Sequence, residues 1–139
     1  MLDSISHIAL AVKDPSRTIA LFRDLFSISV VEREDDEGHL ETFFKLGGIW
    51  IVLVGTAVTH ARSGDHIAFH ATPEIIEGTA AKLQAMGREF IRARSDKALY
   101  FFDDDDHVFE LDSENHDKEF ERYQAGAFSS ATALEQAEH

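Results

Sequence analysis

Two stretches of the chain alternate bulky apolar residues with small or polar ones in the same way. In SHIALAV (Ser6–Val12), Ile8, Leu10 and Val12 share one parity, while His7, Ala9 and Ala11 share the other. In DHIAFHA (Asp65–Ala71), Ile67, Phe69 and Ala71 share one parity, and His66, Ala68 and His70 the other. A period of two marks a strand with one face turned to a core. A proline follows each stretch, in Asp14-Pro15 and Thr72-Pro73. Asp and Thr are good helix N-caps, and proline suits the first helical position. Apolar residues then recur at helical spacing, as Ile19, Phe22, Leu25 and Phe26 in the first copy and Ile76, Ala80 and Leu83 in the second. Gly87 is placed to cap the second helix.

Three extended segments follow each helix. They are Ser29–Arg33, Leu40–Leu46 and Gly48–Val54 in the first half, and Glu89–Ala93, Ala98–Phe102 and Val108–Asp112 in the second. Asp103–His107 reads as a turn between the last two. Each half therefore reads βαβββ, over residues of about 1–57 and 62–113, which makes the fold class α+β. Thr56–Gly64 is the expected linker, and Asp117–Tyr123 a short closing helix. Residues 1–123 are expected to form a single domain, and residues 124–139 a frayed or disordered acidic tail.

Composition narrows the chemistry. The 139 residues include no cysteine, so disulfides, thiol nucleophiles and thiolate metal ligands are excluded. Histidine and carboxylate remain as metal ligands, which suit Mn, Fe, Ni, Zn or Mg. A net charge of −13 speaks against nucleic-acid or anionic-membrane partners. No apolar run is long enough to span a bilayer and no leader is evident, so the cytoplasm is the expected compartment. The acidic runs, Asp103–Asp106 among them, are expected to be solvated turns and faces.

The alternation also sorts candidate ligands. The parities opposite the bulky residues carry a histidine beside alanines, which leaves room for a bound molecule. In the last strand Glu110 falls between Phe109 and Leu111, and a carboxylate buried there needs a partner. A lone strand histidine is ordinarily structural. Two at repeat-equivalent positions, with a glutamate on the closing strand, bring metal ligation into consideration, and the pattern by itself leaves both readings open. His39, His60, His107, His116 and His139 fall in turns or tails and are expected at the surface. His70 shares a parity with His66 and could line the cavity.

HIAL, HIAF and DDHVFEL, set in a doubled βαβββ chain, resemble the vicinal oxygen chelate superfamily (glyoxalases, bleomycin resistance proteins and dioxygenases). Within it, GIWIVLV, RSGDHIAF, LYFFDDDDHVFEL and ERY are similar to the fosfomycin resistance proteins, specifically the epoxide hydrolase type. The resemblance implies a cupped mixed sheet with helices on its outer face. It puts His7, His66 and Glu110 on the metal-ligand positions, with Mn the first choice of divalent metal. It implies a homodimer whose modules pair across chains, so that His7 comes from one subunit and His66 with Glu110 from the other. ETFF (Glu41–Phe44) places Glu41 on the position of the general base that activates water.

The implied substrate is a small epoxide, fosfomycin or a related electrophile, contacted by Trp50, Arg94, Lys97, Tyr100 and Arg122. Two departures concern the phosphonate. Ala98 stands where the family has a serine, and Glu119 where it has an arginine, leaving Lys118 or Arg122 as replacement. Fosfomycin is therefore expected to be held poorly. The alternatives within the superfamily are a ligand-sequestering protein of the bleomycin-resistance type and an Fe(II) extradiol dioxygenase-like enzyme. Glyoxalase chemistry is disfavoured, because its fourth ligand would come from Trp50–Leu53, which is wholly apolar.

Overall fold

The alternating stretches form two edge strands, each beginning a βαβββ unit. In the computed structural model these units are β1 (His7–Val12), α1 (Pro15–Phe26), β2 (Val30–Glu34), β3 (Leu40–Leu46) and β4 (Ile49–Gly55), then β5 (His66–His70), α2 (Pro73–Ala85), β6 (Phe90–Ala93), β7 (Ala98–Phe102) and β8 (Val108–Asp112). A last helix, α3 (His116–Gln124), extends one residue beyond each end of the expected one. The structure describes residues 4–34, 37–38, 40–57 and 61–124, with the backbone alone for residues 119 and 122–124. The expected tail after Gln124, with His39, His60 and His139, lies outside the described residues.

Local chemistry sets the helix ends as the sequence suggests. The Asp14 carboxylate accepts from the Ser16 amide, and the Thr72 hydroxyl from the Ile75 amide. Gly87 takes a φ of 69°, and the amides of Gly87 and Arg88 close back on the carbonyls of Gln84 and Leu83, capping α2.

The first half forms a sheet of order β1-β4-β3-β2, and the second a sheet of order β5-β8-β7-β6. In each, the edge strand pairs in parallel with the last strand, and the other pairings are antiparallel. The expected cup is thus divided within one chain into two separate four-stranded sheets. Both turn the same kind of face inward. Leu10, Val12, Phe44, Ile51 and Leu53 from the first, and Leu99, Phe101, Phe109 and Leu111 from the second, join Phe22, Leu25, Ile76 and Leu83 of the helices in one buried cluster. The Phe22 ring lies 5.1 Å from Phe44 and 5.2 Å from Phe109, centre to centre, so α1 packs against both sheets. The halves also meet at the β3–β4 turn. Gly47 has a φ of 60°, and a Cβ there would stand 2.5 Å from the Phe69 ring of β5.

The Asp103–Asp106 turn departs from the solvated turn expected of it. Asp103 is buried. Its carboxylate accepts from the amides of Asp105 (3.0 Å) and His107 (2.9 Å) and meets the His107 ring nitrogen at 2.7 Å. Asp104 pairs with Arg17 of α1 and with Arg88 just after α2. Asp105 accepts from the Lys13 amide. Asp106 pairs with Arg62, whose guanidinium lies 3.6 Å over the Phe102 ring and also reaches Glu89. The turn clasps both halves together, and His107 is part of it rather than the surface residue expected.

Candidate metal centre and substrate pocket

Each sheet has a second face, away from the shared core, and the candidate ligands lie on these faces. On the second sheet, register places Ala68, Glu110 and Tyr100 in one row across β5, β8 and β7. His66 begins β5 beside that row, with its Nε2 3.1 Å from Glu110 Oε1. Its Nδ1 lies 2.9 Å from the Gly64 carbonyl oxygen. A carbonyl can only accept, so Nδ1 donates its proton there, and Nε2 is turned toward the carboxylate. A ring nitrogen and a carboxylate oxygen this close share either a proton or a metal cation. A histidine oriented by a backbone carbonyl beside a buried carboxylate is the donor set a divalent metal takes.

Glu110 is 4% exposed, and Asp112, two residues on, is 6% exposed. Burial of two carboxylates on one strand requires compensation. Arg94 supplies it, hydrogen-bonding to Glu110 and lying 3.4 Å from Asp112. The hydrogen bond to Glu110 holds the guanidinium charged, above the ordinary arginine range, against a burial that works the other way; Tyr100 adds a second hydrogen bond. His116 Nε2 lies 3.1 Å from the same Asp112 oxygen, and the other accepts from the Glu114 amide. The loop achieves this with three consecutive left-handed residues, Arg94, Ser95 and Asp96, at φ values of 51°, 54° and 65°. Such a run costs a non-glycine chain about 1 kcal/mol or more per residue. It is closed by Lys97 N to the Arg94 carbonyl, and by Ser113 N and Oγ to the Lys97 carbonyl.

The remaining expected site residues divide between the sheets. Tyr100 is half-buried with its ring edge-on to His66 at 5.6 Å. Lys97 is exposed at the end of the Arg94 loop. His70 is exposed and sits opposite Asp112 in the β5–β8 register. The backbone of Arg122 lies in α3, and its side chain is outside the described residues, as is that of Glu119. His7 is on the first sheet, opposite Trp50 of β4. Its Nδ1 lies 3.0 Å from Ser6 Oγ. The structure brings His66 and Glu110 together and leaves His7 apart. Among the described residues of one chain, no three metal-binding side chains converge.

His7 instead borders a cavity of about 300 Å³ lined by Ser6, Val31, Arg33, Phe43 and Trp50. Lys45 stands beside it, with Nζ 5.4 Å over the Trp50 ring. Glu41 shares this face and is paired in register with Arg33, whose Nε lies 3.4 Å from Oε1. Arg33 and Lys45 are absent from the set read off the sequence. Parity could have found them, since Arg33 alternates with Val31, and Lys45 with Phe43, on the face that carries His7. Asp112 was likewise within reach, sharing Glu110's parity.

The chain belongs to the Glyoxalase/Bleomycin resistance protein/Dioxygenase superfamily, whose family model matches residues 4–111. Within that class it is similar to fosfomycin resistance proteins named FosX. The Listeria innocua protein is 28% identical over 131 residues, covering 88% of this chain and 98% of the relative. A solved structure of a Listeria monocytogenes FosX variant, complexed with Mn(II) and 1S,2S-dihydroxypropylphosphonic acid, matches with a TM-score of 0.75 at 30% identity, covering 86% of this chain and 99% of that one. The FosX structure from Mesorhizobium loti matches with a TM-score of 0.74 at 27% identity, covering 88% and 100%.

Proposed function

We propose that this protein opens a small epoxide, fosfomycin or a related electrophile, with water, using a divalent metal held by His66 and Glu110 of one chain and His7 of a second. The observation that carries the reading is the His66–Glu110 pair, with Nδ1 committed to Gly64 and Nε2 facing a buried carboxylate. The solved FosX complex with Mn(II) and a dihydroxypropylphosphonic acid supports Mn as the metal and a diol as the product. A bound divalent cation supplies Lewis acidity toward an epoxide oxygen.

The chain's own residues supply the rest. Tyr100, edge-on to His66, and Trp50, opposite His7, shape the walls against which a three-carbon substrate lies. Glu41 is assigned the proton of the attacking water. It stands on the His7 face, two strands over and four residues along, roughly 16 Å away in a flat sheet. A base role therefore requires the twist of the sheet to bring Glu41 and His7 closer than that, on the face that a second chain would cover. The exposed apolar side chains on these faces, Val31, Trp50, Val54 and Ile91, support such a pairing. A homodimer working in the cytoplasm fits this reading; no helix among the described residues is long and apolar enough to cross a membrane.

The test is elemental analysis of the purified protein, followed by phosphorus NMR of fosfomycin incubated with and without Mn(II). The expected result is Mn-dependent formation of the diol. Glu41→Gln is expected to keep the metal and lose at least ~100-fold in hydration, the usual worth of a general base. Full hydration by Glu41→Gln removes Glu41 from the role. Metal binding without turnover of any epoxide tested replaces the enzyme reading with one of ligand sequestration.

A further inference from the structure

The first sheet carries a cation whose position the metal site does not explain. Arg33 lies on β2, next to the turn into β3, with its side chain 67% exposed. Parity puts it on the His7 face, and its guanidinium lies 4.9 Å from the centre of the Phe43 ring, so it is laid over the sheet. It thereby becomes one wall of the cavity that His7 and Ser6 border on the other side. Its contact with Glu41 is long, at 3.4 Å, and made through Nε. The two terminal amino groups of the fork are not used in that bond. A guanidinium held over a flat aromatic floor and lining a cavity suits bidentate binding of a phosphonate or carboxylate.

Resting on the reading above, we propose that Arg33 is the residue that anchors the anionic end of the substrate and selects anionic over neutral electrophiles. The cavity lining has the kinds of groups such a molecule needs. Val31, Phe43 and Trp50 offer an apolar floor for a short carbon chain, with Arg33 at one end and the candidate metal ligand His7 at the other. Lys45, over Trp50, adds a second positive charge on the same face. The opposite sheet is poorly placed to do this with Arg94, which is committed to Glu110 and Asp112.

The experiment is calorimetric titration of fosfomycin into the Mn-loaded dimer, together with turnover of fosfomycin and of propylene oxide, the same epoxide without its phosphonate. Arg33→Ala and Arg33→Gln are each expected to weaken fosfomycin binding by roughly 10–100-fold, the worth of a charge-assisted contact. The rise in KM for fosfomycin should exceed that for propylene oxide by at least about tenfold, with Arg33→Lys between parent and Ala. Equal losses with both epoxides overturn the proposal, because they mark a residue that only positions Glu41. Unchanged fosfomycin affinity in both neutral variants overturns it, as does a parent that does not bind fosfomycin. If the parent binds fosfomycin, hydrates neither epoxide, and loses the binding in the Arg33 variants, the anchor stands and the hydrolase reading falls.

Discussion

At the level of single residues, the second sheet balances charge closely. Glu110 and Asp112 are nearly inaccessible, and one guanidinium serves both. Removing Arg94 leaves buried acceptors uncompensated, at a cost of roughly 1–3 kcal/mol in the metal-free protein. A metal ion at His66 and Glu110 would restore the missing charge. Arg94→Ala is therefore expected to lower the melting temperature without metal and to gain more than the parent on adding Mn(II). Equal Mn(II)-induced shifts in parent and variant would show that Arg94 and the metal do not share Glu110. This part of the site was only half legible in the sequence. His66 and Glu110 stand out because the repeat and the alternation single them out. Arg94 reads as a substrate contact in the sequence, and nothing in ARSDK reveals the left-handed run that sets its side chain against Glu110 and Asp112.

At the level of elements, the fold was largely readable because every unit carries a strong local signal. The alternation in β1 and β5, the Asp14-Pro15 and Thr72-Pro73 starts, and the Gly87 cap each act within a few residues. Strand ends fall within one residue of those expected. The acidic turn was misread because its partners are distant: Lys13 and Arg17 lie about ninety residues before Asp105 and Asp104 in sequence. A run of four aspartates looks solvated until Lys13, Arg17, Arg62 and Arg88 are found to converge on it. Asp103→Ala is expected to cost roughly 2–4 kcal/mol, since it strands the amides of Asp105 and His107 and removes the carboxylate that meets the His107 ring. Urea unfolding measures this, and a loss below ~0.5 kcal/mol would return the turn to the ordinary surface.

At the level of the whole molecule, the candidate ligands are split between two sheets that do not form one cup within a chain. A site shared between chains has a specific signature. Protein with His7→Ala and protein with Glu110→Ala should each retain metal at least ~10-fold less well than the parent. Mixed and allowed to exchange subunits, they should regain activity, to about a quarter of the parent for random pairing, because each hybrid dimer holds one site with all its ligands. No recovery after demonstrated exchange would place all three ligands in a single chain's site. Sedimentation of the parent as a 15.6 kDa species at micromolar concentration would argue the same way.

The Gly47–Phe69 contact sets more than local packing. In the paired arrangement proposed above, joining the His7 sheet of one copy to the His66 sheet of the next would be a head-to-tail contact, repeated by every copy. Whether it ends after two copies depends on the angle between the sheets within each chain, and the turn at Gly47, seated against Phe69, is one of the points that fix it. At the right angle the second copy returns to the first and the ring is closed. At another angle the same contacts propagate into an open filament. The missing side chain at residue 47 thus bears on whether the molecule is a finite particle or a fibre.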